Sequence, residues 1–126
     1  MLTAAACNPS PAPETTDDLW SQLTIYQKTA IEMCNGGADR LRTYHRLAER
    51  ATTRKLYIGL RGPLLAETIE TYTRGNHSST FREFIRQFAT NEATFVWQHR
   101  QTSAAGLDQQ HLLWCREQDD WISSYR

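Results

Sequence analysis

Four arginines, Arg42, Arg46, Arg50 and Arg54, recur at every fourth position of this 126-residue chain. On a helix each step of four residues turns by about 40° and rises by about 6 Å, so the four side chains would form one inclined basic stripe. Guanidinium is planar, always charged, and able to grip phosphate or carboxylate with two parallel hydrogen bonds. The rise per step is close to the spacing of successive phosphates, so the stripe suits a nucleic-acid backbone. It suits an acidic protein surface equally well. The plainer alternative is a solvated face screened by Glu32, Glu49 or Glu67.

A second spacing joins Arg40 to His45 as R-x4-H. It resembles the motif of the HEPN-family ribonucleases, over six residues and with Leu41 after the arginine. The resemblance implies a helical protein that acts as a dimer, with His45 near the reacting ribose or phosphate. Arg40 would then offset developing negative charge. On one helix these two side chains stand about 140° apart, so a second chain would have to complete such a site. The alternative is a helix-edge arginine and a half-buried histidine.

Metal chemistry finds less support. His111 and Cys115 sit one turn apart, and Glu92 and His99 sit two turns apart on one apolar helix face. A zinc site needs about four convergent ligands, and neither pair is brought to the other by spacing. Glu92 and His99 are instead expected as a polar pair at a helix–helix edge. There is no G-x-S-x-G, no phosphate-binding G-x-x-x-x-G-K-S/T and no G-x-G-x-x-G. Asp119 and Asp120 are expected to keep an exposed face solvated. No catalytic residue, metal or cofactor is therefore assigned, and the chain reads as non-enzymatic.

The elements that must carry these residues follow from periodicity. Residues 1–14 hold three of the four prolines and are expected to form a flexible tail, followed by one helical domain over 15–126. The tail has neither a basic segment nor a long apolar one, so no signal peptide is expected around Cys7. Asp17 to Cys34 predicts a first helix, with Leu19, Trp20, Leu23, Tyr26, Ala30 and Met33 facing the core. A second helix is expected over about 39–57. Gly59 and Gly62-Pro63 interrupt it and a third begins at Pro63, running to about 74. Thr80 with Glu83 predicts a capping box for a fourth helix, whose Phe81, Phe84, Ile85, Phe88, Phe95 and Val96 make the most apolar stripe. A fifth is expected over about 108–125. The fold class is thus an all-α bundle of about five helices.

Composition bounds the partners. Lys plus Arg and Asp plus Glu are 14 each, so no overall field draws in nucleic acid or membrane. No apolar run is long enough to span a bilayer, and no membrane partner is expected. Three cysteines without C-x-x-C spacing suggest no disulfide framework; Cys34 and Cys115 are expected as reduced core residues, which points to a cytoplasmic setting. Trp97 projects opposite its helix's phenylalanine stripe, and Leu112 and Leu113 leave the tryptophan face of the last helix. Such two-sided helices are central in a bundle or form half of an interface. The reading is a small helical interaction protein, an adaptor, inhibitor or accessory factor, with a protein partner or a homodimer. RNA or DNA binding through the arginine stripe is the alternative, and a HEPN-like nuclease the third.

Overall fold

Threonine and serine hydroxyls set where four of the helices begin, in a computed structural model that describes residues 16–76 and 78–126. The elements are α1 (Thr16–Ser21), α2 (Ile25–Asn35), α3 (Ala38–Arg50), α4 (Arg54–Thr73), α5 (Ser79–Gln98), α6 (Ala104–Glu117) and α7 (Asp119–Ser123). No strand occurs among the described residues, so the all-α class holds. The expected tail over 1–14, with Cys7, lies outside them.

The expected first helix is two. Thr24 Oγ1 accepts from the Gln27 N–H at 3.1 Å, and Gln27 Oε1 accepts from the Thr24 N–H at 2.8 Å. This reciprocal cap starts a new helix at Ile25. Leu19 and Trp20, expected on the core face, are exposed on the separate α1.

The next boundary also moves. Thr53 accepts from the Leu56 N–H at 3.1 Å and opens α4, which runs unbroken through Gly59, Gly62 and Pro63. Proline inside a helix removes one hydrogen bond and crowds the carbonyl four residues back. Here that carbonyl belongs to Gly59, the residue type that adapts most easily. Tyr57, Arg61, Thr68, Ile69 and Thr73 bury the opposite face of α4, and this packing outweighs the local proline signal. The helix gives way only near Gly75, whose φ of 80° is costly for other residues. Ser78, not Thr80, then caps α5 by accepting from the Phe81 N–H at 3.2 Å. Ser103 likewise starts α6 ahead of the expected position, and a joint at Gln118 divides the expected last helix.

The core forms around α5. Its Phe81, Phe84, Ile85, Phe88 and Ala89 join Tyr26, Ala30, Met33, Ile69 and Ile122 in one apolar cluster. Its Ala93, Phe95 and Val96 join Leu41, Tyr44, Ala48, Tyr57 and Leu107 in another. Trp114 packs against both. The apolar stripe read from periodicity is therefore the buried spine.

Cys34 and Cys115, expected as free thiols, are joined in a disulfide with Cα atoms 6.5 Å apart. The bond ties α2 to α6 across 81 residues of sequence, a separation that no local spacing rule could reveal. Among the described residues no helix is long and apolar enough to cross a membrane.

The continuity of α4 can be checked at its glycines. A Cβ built at Gly59 or Gly62 meets nothing within 4 Å. Gly59→Ala with Gly62→Ala should raise the unfolding free energy by about 1–2 kcal/mol, since each glycine in a helix interior costs about 0.5–1 kcal/mol against alanine. Urea titration that shows a loss instead would mean that the chain breaks at 59–62.

Candidate functional site

Glu92 stands in the middle of the α5 apolar stripe with its side chain 0% exposed. A carboxylate there must be matched by donors or lose its charge. Arg40, from α3, supplies a fork: Nε donates to Oε1 at 2.7 Å and Nη2 donates to Oε2 at 3.1 Å. The same Nη2 reaches the Met33 carbonyl at the end of α2, at 2.7 Å. His111, from α6, places Nε2 at 2.8 Å from Oε2. Gly37 makes room for this arrangement, because a Cβ there would come within 2.6 Å of the Met33 carbonyl oxygen.

The electrostatics follow from these contacts. Burial alone would raise the Glu92 carboxyl, but hydrogen bonds from His111 and Arg40, with their charge, outweigh it and hold the group below the ordinary value. Arg40 is opposed by burial, yet Glu92 holds it more firmly protonated than usual. Burial pushes the Tyr44 phenol up to about 12, with Glu92 adding to the effect and Arg40 and Arg61 opposing it. The Tyr57 phenol is raised chiefly by burial too, and its hydroxyl donates to the Ala93 carbonyl at 2.7 Å.

The expected Glu92–His99 pair does not form. His99 turns its Nδ1 to the Phe95 carbonyl at 3.0 Å, within its own helix. Arg40 and His111, which take its place, lie 52 and 19 residues from Glu92. The sequence signal that could have found this centre is Glu92 itself, an acidic residue inside an otherwise apolar stripe.

One turn beyond His111, Cys115 Sγ lies 3.9 Å from Nδ1 and 3.8 Å from Nε2. It lines a cleft of about 490 Å³ between α2, α6 and α7, with Cys34, Ile31, Leu112, Asp119 and Ile122. Among the described residues no three His, Cys, Asp or Glu side chains converge to hold a metal ion.

The arginine stripe is divided. Arg42 is ion-paired to Asp108 at 2.8 Å, half exposed. Arg46 donates to Thr43 Oγ1 at 3.2 Å. Arg50 ends α3 and Arg54 begins α4, with residues 51–53 between them. Arg46, Arg50 and Arg54 are exposed and make no ion pair among the described residues. Arg40 and His45 are turned to different partners: Arg40 is engaged at Glu92, whereas buried His45 places Nε2 3.2 Å from the Arg100 carbonyl.

Trp97 is half-buried rather than free. Its ring stacks on Tyr57 at 5.2 Å, with the Arg100 guanidinium 4.0 Å above it. Arg61 flanks Tyr57 from 5.9 Å, and its Nε and Nη1, like the Tyr44 hydroxyl, are buried without a hydrogen-bond partner among the described residues. Leu112 and Leu113 are 55% and 51% exposed. Neither protein-family models, nor curated proteins, nor solved structures yield a match to this chain.

The charge centre makes a pH-dependent prediction. A carboxyl held below its unfolded value of about 4.3 contributes stability that is complete above that pH and is lost as pH falls through the folded value. Glu92→Gln should cost about 3–5 kcal/mol near neutrality, by stranding Arg40 and His111. The gap between variant and wild type should narrow as pH drops from about 5 to about 2. Urea titrations across that range that keep a constant gap would remove the ionised carboxylate from the account.

Proposed function

We propose that the protein acts by surface contact with another protein, as a small adaptor, inhibitor or accessory factor rather than as an enzyme. The observation that carries this reading is the pair Leu112 and Leu113, adjacent on α6 and each more than half exposed. Single exposed leucines are ordinary, but neighbouring ones beside a cleft mark contact surface. Leu112 shares that cleft with Ile31, itself exposed. Leu56, Ile58 and Leu60 add apolar surface on the first half of α4. Trp97 supports the reading less, because Tyr57 and Arg100 already pack against it and leave it half-buried. The Cys34–Cys115 bond removes the free-thiol basis for a cytoplasmic setting, since disulfides persist mainly where conditions are oxidising.

The test is capture from the native host with the full chain as bait, with and without nuclease. One protein retained in constant ratio and indifferent to nuclease is expected, and Leu112→Asp with Leu113→Asp should release it while leaving the thermal midpoint unchanged. A second copy of the chain as the sole species retained would make the contact a homodimer. Retention of nucleic acid alone would overturn the reading.

A second reading, nucleic-acid binding, is favoured by one observation. Arg46, Arg50 and Arg54 gather around the α3–α4 junction with no carboxylate neutralising them among the described residues. Phosphate contacts release counterions, so each one steepens the salt dependence of binding. If this reading holds, Arg46→Gln with Arg50→Gln should weaken binding alike across sequences and flatten the log–log salt slope by roughly 0.7–0.9 per lost contact. Absence of binding to duplex or single strands at about 50 mM salt would dismiss it.

A further inference from the structure

We propose that the Cys34–Cys115 bond is a thiol-exchange site, where a low-molecular-weight thiol attacks Cys34 to form a mixed disulfide and Cys115 leaves as thiolate beside His111. Two features set the bond apart from a sealed structural crosslink. Both cysteines are half-buried and both line the α2–α6 cleft, which is large enough to admit a small thiol. The sulfurs also have unequal surroundings. Both sit in the last turn of their helices, where the helix dipole disfavours an anion at either. Only Cys115 has an imidazole against it, at 3.8 and 3.9 Å from the two ring nitrogens.

That imidazole is held in place by a buried carboxylate. From α5, Glu92 meets its Nε2 at 2.8 Å, with Arg40 of α3 behind the carboxylate. Phe95 and Trp114 pack against the ring, at 5.8 and 5.5 Å between centroids. The sulfur lies almost equally far from the two nitrogens, facing the part of the ring over which an imidazolium charge spreads. A thiolate at Cys115 therefore faces a ring that can carry positive charge, a neighbour Cys34 does not have, and the better stabilised thiolate is the better leaving group. Attack consequently falls on the other sulfur, that of Cys34.

The incoming thiol ionises, its sulfur forms a bond to Cys34 Sγ, and the Cys34–Cys115 bond breaks with its electron pair on Cys115 Sγ. The proton given up by the thiol passes to solvent. A second thiol attacks the small-molecule sulfur of the mixed disulfide and frees Cys34. Two thiols are oxidised to one disulfide, and the protein disulfide is reduced to two thiols.

The experiment uses the full oxidised chain carrying Cys7→Ser, which leaves two cysteines. It is treated at neutral pH with reduced glutathione, quenched in acid, and blocked with N-ethylmaleimide. Trypsin places Cys34 on the peptide 29–40 and Cys115 on 101–116, so mass spectrometry reads the two adducts separately. The glutathione adduct should favour Cys34 by about tenfold or more, and His111→Gln should bring the ratio close to one. An even distribution in the chain with His111 intact, a preference for Cys115, or a bond that reacts only in denaturant would each overturn the proposal. Should His111→Gln fail to fold, the distribution with His111 intact decides alone.

Discussion

A carboxylate placed in an apolar helix face must gather its own counter-charges, and in this chain Glu92 makes the other helices come to it. Taking an ion out of water costs several kcal/mol, and only close, well-directed donors recover it. Arg40 and His111 supply them from α3 and α6, and Arg40 extends the link to the last turn of α2 through the Met33 carbonyl. One side chain thus fixes how four helices meet. Glu92 also falls at the seam between the two apolar clusters, with Phe88 and Ala89 on one side and Ala93 on the other. Apolar clusters tolerate repacking when volume is kept. The charge centre does not, because any shift of register strands an ion.

This division explains what the sequence disclosed. The helical class and the α5 spine were legible because burial repeats with the helical period, and Phe81, Phe84, Ile85, Phe88, Phe95 and Val96 all lie in the core. Helix boundaries were less so. Gly59, Gly62 and Pro63 gave a strong local signal to stop, but the buried face of α4 outweighed it, and the quieter Thr53 became the true start. Thr24 hid in the same way inside a continuous apolar pattern. The site was hardest to read. Arg40, Glu92, His111 and the two bonded cysteines are brought together by the fold alone, across separations no motif encodes. Of the surface residues, Leu112 and Leu113 were recognisable as surplus to their helix, whereas Trp97 finds cover in Tyr57 and Arg100.

The second polar group in the core is built differently. Trp97 and Tyr57 stack, with Arg100 against the first ring and Arg61 near the second. Such contacts contribute modestly, about 0.5–1 kcal/mol where exposed and more where dry. Arg61 gains from Tyr57 but leaves Nε and Nη1 unbonded among the described residues. Each unsatisfied buried donor costs about 1–3 kcal/mol. The two halves of the core therefore differ in kind: one holds a carboxylate paired with two donors, the other a ring stack beside an arginine with no side-chain hydrogen bond among the described residues.

The crosslink between α2 and α6 acts on the chain in another way, one that no contact in the folded state reveals. It encloses α3, α4 and α5 in a covalent loop of 81 residues' separation. Closing a loop of that length removes conformational freedom from the unfolded chain worth about 4–5 kcal/mol. That is a large share of the roughly 5–15 kcal/mol by which a domain of ordinary stability exceeds its unfolded state. Opening the bond can leave every helix in place and still raise the unfolded fraction by roughly a thousandfold, at about 1.4 kcal/mol per factor of ten. Proteases and chaperones act on an unfolded fraction of any chain, so a crosslink of this span lowers the exposure of the unfolded chain to both.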